Sequence, residues 1–314
     1  QLLQTIELPT TLKEIKGYAF AKTSIVNVTG EVPNLETIDT GFVYCSDLLN
    51  IPKLTGIVVL GNEAFANCNK LKEVHCGSKL ENIYSVALTN CKALETFTTD
   101  GAKNVFVSPE AFLGCSSLKF FDFSCAIEIL NNAFEECYSL SIVDMSKCEM
   151  DHLYPIFESC EIDSILLPPK LASIDSDSFL ECNVHSITFV GTSETLDLSR
   201  AFNNFEAELY EVLFAPDCSV NFFAAFVNCP HLSKVVLPKK SFVLDQTFVL
   251  CTNLTIVENV EFCTKMNYTF NHCSKLVKLD SLNSLTILGN QTFSNCESLE
   301  SLPSLPSLSL IGSE

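Results

Sequence analysis

The chain has 314 residues, 47% of them hydrophobic, with 38 acidic against 19 basic side chains and a net charge of −19 at pH 7. So acidic a surface repels phosphate backbones and anionic headgroups, which counts against nucleic acid and anionic lipid as partners. No run of about 18 apolar residues occurs, so membrane insertion is not expected.

Taken in order, the chain repeats one pattern, Ala-Phe-x-x-Cys-x-x-Leu-x-x-Val, clearest at residues 62 to 74. Its Phe marker falls at Phe20, Phe42, Phe65, Leu88, Phe112, Phe134, Phe157, Phe179, Phe202, Phe226, Phe248, Phe270 and Phe293, always 22 to 24 residues apart. Such a period predicts a solenoid, in which no unit buries its apolar face without its neighbours. The length alone would suggest about two domains. The repeat overrides that: residues 1–314 read as a single domain of about 13 repeats.

Residues 1 to 23 form one repeat with an imperfect start, and Thr23 stands in the Cys place. Residues 24 to 60 are irregular and hold Gly30, Pro33, Gly41, Pro52 and Gly56. The most regular part is 61 to 189, yet two of its repeats lack one residue, at Ile162-Ile165-Leu167 and Val184-Ile187-Phe189. Residues 190 to 222 contain Gly191-Thr-Ser-Glu-Thr, with Phe205 in the Cys place. They read as a degenerate repeat with a surface insertion, for which drift is the simplest cause. The period resumes over 223 to 302, and the tail after Leu302 reads as a last edge strand or cap. Its two Pro discourage pairing with another chain.

Within a repeat, the run Leu71, Val74, Cys76 alternates in and out, which predicts a strand. Pro often follows, as at Pro9, Pro168, Pro238 and Pro303, and stops the ladder. A second short apolar stretch, such as Leu80 and Ile83, leads to the next Ala-Phe. Ala permits the close turn, and Phe fills the space between layers in a continuous file. Eleven of the 16 Cys share one repeat position, which predicts a ladder of mostly reduced, packed thiols. Cys76, Cys125, Cys148, Cys218 and Cys263 are less regular, and any disulfides are expected there.

No catalytic signature is present: no Walker loop, Gly-x-Ser-x-Gly elbow, His-Glu-x-x-His pair or Cys-x-x-Cys. The five His are scattered and read as structural or solvent-exposed. The chain is therefore expected not to be an enzyme and to need no cofactor or metal. Four Asn-x-Thr sequons begin at Asn27, Asn253, Asn267 and Asn290.

The outward strand positions are the ones left for a partner. Phe120, Ile142 and Leu166 read as one apolar stripe and Leu213, Val236 and Ile256 as another. Asp122 and Asp144 flank the first, and Glu258 and Asp280 the second. These residues predict a protein-binding face with apolar anchors and a charged rim. The plainer reading is the ordinary preference of strands for β-branched and aromatic residues.

The pattern Leu-x-x-Ile-x-Leu-Pro-x-x-Leu-x-x-Ile-x-x-x-Ala-Phe-x-x-Cys, best kept at residues 6 to 23 and 165 to 182, resembles the BspA-type (Treponema pallidum-type) leucine-rich repeats. The resemblance implies an α/β-type, β-rich, right-handed leucine-rich-repeat superhelix. One long parallel sheet is expected, with short turns or helical turns on the other face. It also implies a secreted or cell-surface protein, adhesin-like, whose partner is a host matrix or surface protein. A signal segment and an initiator Met are missing, so the chain reads as a mature or trimmed fragment. The alternatives are a structural spacer and an intracellular scaffold.

Overall fold

The computed structural model describes residues 3–191 and 195–312. They form two compact units. The first comprises Gln1–Met150, Tyr154–Ile162 and Ser178–Cys182; the second comprises Asp151–Leu153, Asp163–Asp177 and Asn183–Glu314. In each, the chain winds as a parallel β-solenoid with almost no helix.

Three columns run along each unit. The first is the strand after Cys-x-x-Leu. In the first unit Glu73–Cys76, Thr96–Thr99 and Phe120–Phe121 pair in register, Val74 beside Phe97 beside Phe121. In the second unit Asn183–Phe189, Glu211–Phe214, Lys234–Val236 and Ile256–Glu258 do the same. Alternation places one residue in the core and the next outside, as Val74 and Glu73 show.

The second apolar stretch makes its own column. Glu14–Ile15, Thr37–Ile38, Val59–Leu60, Asn82–Ile83, Val105–Val107 and Ala126–Ile129 form a six-stranded parallel sheet. In the second unit the same stretch makes two four-stranded sheets, from His152–Leu153 to Ser219–Asn221 and from Phe242–Asp245 to Leu310–Ile311. The expected single long sheet is thus replaced by several. A strand of two residues cannot reveal itself by alternation, so the sequence understated this column.

The third column is the Ala-Phe-x-x-Cys segment. The expectation of an α/β-type solenoid is corrected here, and of the short turns or helical turns expected it is short turns that form: the described residues contain no α-helix, only two short 3₁₀ turns, Phe123–Cys125 and Val260–Phe262. The cause is where the hydrogen bonds go. The Phe65 N–H donates to Ala87 O at 2.8 Å and the Asn67 N–H to Thr89 O at 2.7 Å, one layer on. Bonds that a helix would close within itself tie neighbouring layers instead.

To aim those donors along the axis, the residues two before and two after the Phe take left-handed φ in most layers; Pro155 and Asp177, two before Phe157 and Phe179, do not. Glu63 and Asn67 stand at 50° and 63°, Ala224 and Asn228 at 50° and 55°. Asn tolerates this region better than other non-Gly residues, which explains its recurrence two after the Phe.

The Phe file forms as the period predicts. Phe42 stacks on Phe65 with ring centroids 5.4 Å apart, and Phe112 on Phe134 at 5.1 Å. Phe226, Phe248, Phe270 and Phe293 stack in the second unit at 5.6 to 5.8 Å. The ladder Cys then does something the sequence did not disclose. In most layers its thiol donates to the Phe-position carbonyl of the preceding layer: Cys68 to Phe42 O at 3.2 Å, Cys91 to Phe65 O at 3.1 Å, Cys251 to Phe226 O at 3.0 Å, and Cys115 to Leu88 O at 3.2 Å. A small apolar side chain with a weak donor suits a buried site with one spare carbonyl lone pair. All 16 cysteines are free, including the five proposed as disulfide candidates, and all but Cys296 are buried. Burial pushes the Cys91 and Cys160 thiols up to about 12.

Glycine in the region 24 to 60 has a steric role. A Cβ on Gly56 would lie 2.3 Å from Pro33 O, so the corner between the first two columns closes only on glycine there.

Candidate protein-binding face

Phe120 and Ile142 stand 53% and 66% exposed, while their strand neighbours Phe121 and Val143 are buried. Both line a shallow concavity of about 390 Å³, with Asp122 and Asp144 on the rim and Lys119 and Lys147 beside them. Lys119 is held by Glu95 at 2.8 Å. Asp122 accepts the Ser124 N–H at 3.1 Å and its hydroxyl at 2.6 Å, and caps the 3₁₀ turn. Asp144 accepts the Ser146 N–H at 2.9 Å. Hydrogen bonds from Ser146, side chain first and then backbone, hold the Asp144 carboxyl below its ordinary range. The same Asp-x-Ser turn recurs at Asp197 and Ser199. Its spacing was a legible signal of local carboxylate anchoring, and sequence reasoning passed over it.

Leu166 does not extend this stripe. It follows the buried Ile165, whereas Ile142 precedes the buried Val143, and it is half-buried in the second unit. The second stripe is also split. Leu213 pairs with Val236 and Val236 with Glu258, but Ile256 sits beside Lys234. Lys234 is bound to Glu211 at 2.7 Å. Leu213 and Val236 are half-buried, so only Ile256, at 46%, stands well out. Asp280 pairs with Lys278 at 3.3 Å in a stretch that forms no strand. Of the ten residues read from the sequence, the concavity gathers Phe120, Asp122, Ile142 and Asp144.

Several other polar groups serve the layers. Asn267 donates to Asp245 at 3.1 Å and accepts the Asn290 N–H at 3.0 Å, while its sequon partner Thr269 is fully buried. Asn253 donates to Pro230 O at 2.6 Å. Among the described residues, no group of three or more His, Cys, Asp or Glu is arranged to hold a metal ion, and no helix is long and apolar enough to cross a membrane.

Several solved structures are similar to this chain. A leucine-rich repeat protein from Bacteroides ovatus ATCC 8483 aligns over 98% of this chain and 83% of its own, at 21% identity and a TM-score of 0.53. A leucine rich cell surface protein from Faecalibacterium prausnitzii A2-165 aligns over 78% and 82%, at 18% identity and a TM-score of 0.36. The T. pallidum leucine rich repeat protein aligns over 74% and 75%, at 19% identity and 0.26. No curated protein matches in sequence. The model of the BspA type leucine rich repeat region, in six copies, matches residues 1–56, 40–155, 152–268 and 222–314. With matches along its length and stacked layers of the expected period, the chain belongs to the BspA-type leucine-rich repeat family.

Proposed function

We propose that the chain is an adhesin-like binding module, secreted or held at a cell surface, that acts without catalysis as a single repeat domain over residues 1–314. Its partner is a protein that seats apolar side chains in the Phe120–Ile142 concavity. The observation that carries this reading is the pair of large apolar side chains standing 53% and 66% exposed within one concavity. An exposed apolar anchor inside a charged rim is what a partner's side chain can dehydrate. Asp122 and Asp144 and the net charge of −19 favour a partner with basic residues around that anchor. Location outside the cell rests on the family resemblance.

The test is capture of proteins from host extracellular matrix and serum by the immobilised chain and by Phe120→Ser/Ile142→Ser. A specific partner should fall at least tenfold with the double variant. Equal recovery would remove this face and favour the spacer. An intracellular scaffold is the second reading, favoured by the 16 free cysteines. Thiol titration of denatured, unreduced protein from the native source separates it: bridged thiols would count against it.

A further inference from the structure

Three successive repeats depart from the pattern at one corner, the step from the Cys turn into the first-column strand. Regular repeats make this step in three residues, as from Cys68 to Leu71. From Cys160 to Ile162 and from Cys182 to Val184 it takes two. With no room for the turn, the strands Glu161–Leu167 and Asn183–Phe189 run straight on from the Cys. Asp163 and His185 become outward strand residues. In the next repeat Phe205 replaces Cys, and Leu209 lies four residues on. The added residue swings Glu208 and Tyr210 to the same corner.

The result is a compact cluster within the second unit. The Tyr210 N–H donates to His185 O at 2.9 Å, which fixes the two in adjacent layers. His185 Nδ1 lies 3.3 Å from Asp163 Oδ1, and its Nε2 lies 3.4 Å from Glu208 Oε2. The His185 and Tyr210 rings are 5.4 Å apart, and His231 meets Tyr210 edge-on at 6.2 Å. Desolvation and the Glu208 carboxylate hold the Tyr210 phenol above its ordinary range, so it remains a donor. Regular corners carry other pairs: Asn69-Lys70, Lys92-Ala93, Ser116-Ser117 and Tyr138-Ser139, the last with Glu135 and Glu136 near its tyrosine.

We propose that this corner seats a cationic side chain, an arginine of a partner polypeptide, stacked on Tyr210 and held by the carboxylates of Glu208 and Asp163. In the layer beyond Tyr210 stands Ser233, whose N–H donates to Tyr210 O at 3.0 Å. His231 of that layer meets the ring edge-on, and Tyr210 is still 41% exposed to a partner. A guanidinium lies flat on an aromatic face and offers a fork of donors to carboxylates. The carboxylates have capacity to spare. Their contacts with His185 exceed the roughly 2.7–2.9 Å of a tight charge-assisted bond, and each carboxylate has further acceptor directions. The net charge of −19 draws cations towards the surface, and the corner gives them a place to stop. This site is separate from the Phe120–Ile142 concavity and stands or falls without it.

The test follows tyrosine ring signals of the 13C-tyrosine-labelled protein while acetyl-arginine amide or acetyl-lysine amide is added. Signals of Tyr210 are identified by their loss in Tyr210→Leu. They should shift saturably with the arginine compound and at least threefold more weakly with the lysine compound. Glu208→Gln should weaken the arginine response at least fivefold and Asp163→Asn at least twofold. If Glu208→Gln does not fold, Asp163→Asn alone decides. Tyr210 shifting no more than the other tyrosines, or both charge variants responding as wild type, would overturn the site. An equal response to the lysine compound would overturn the choice of arginine.

Discussion

The repeats around Phe65 to Phe134 and those around Phe157 to Leu213 use the same core and differ at one corner. In the first set every layer makes the same three-residue step, with corners such as Asn69-Lys70, Ser116-Ser117 and Tyr138-Ser139. In the second set a residue is lost twice and gained once, while Phe157, Cys160, Val184 and Val212 remain buried. The core thus tolerates length changes that the surface records. Regular layers provide the frame, and irregular ones are where this frame acquires chemistry of its own.

The largest effect that sharpens this contrast is steric. Gly77 closes a regular layer, and a Cβ there would lie 2.3 Å from Thr55 O. Gly77→Ala should cost about 1–3 kcal/mol or more, read by denaturant unfolding. An unchanged midpoint would mean that the layers are less tightly stacked than described.

The next effect is alkaline. Burial raises the Cys91 thiol from 9.0 to about 12 in the folded chain, so between those values the unfolded state holds fewer protons. Stability from the ladder is then complete below pH 9 and lost as pH rises towards 12. Cys91→Ala should flatten that slope, measured as melting temperature against pH.

A smaller change concerns the turns. Val86 is a β-branched residue held at φ 55° and only half-buried. Val86→Asn should stabilise by about 1 kcal/mol by relieving that strain. Smaller still is the acid side. Asp144 is held by Ser146 with its carboxyl below the usual range, so its contribution is present above the ordinary carboxylate pKa and fades as pH falls through the depressed one. Ser146→Ala should remove only that shallow acid-side slope.

To break the contrast itself, one Asn inserted after Cys182 would restore the three-residue step. The fold should survive, and the Tyr210 response to acetyl-arginine amide should disappear. A retained response would show that the corner geometry is not what assembles the cluster.

Much of this was legible in the residues. Phe112 and Cys115 announce themselves because every layer repeats the same demand, and a period survives any single exception such as Leu88. Two things were hidden. The turn column reads as possible helix because nothing in Glu63-Ala-Phe-Ala-Asn67 says that its N–H groups bond to the next layer. The corner cluster was hidden because Asp163, His185 and Tyr210 occupy different phases of the repeat, and only the altered step lengths bring them together. The binding face was half legible. Alternation identified Phe120 and Ile142, and it also put Leu166 after rather than before its strand's central residue, a difference of phase that reading the three as one stripe ignored.

The most direct single measurement is a pair of thermal melts, Phe112→Ala beside Phe120→Ala. These two rings are eight residues apart in sequence, yet one is 0% and the other 53% exposed. Phe112→Ala should lose about 3–5 kcal/mol and lower the melting temperature by several degrees, while Phe120→Ala should leave it unchanged. Equal shifts in the two variants would contradict a frame whose repeated phenylalanines lie inside and whose binding residues stand out.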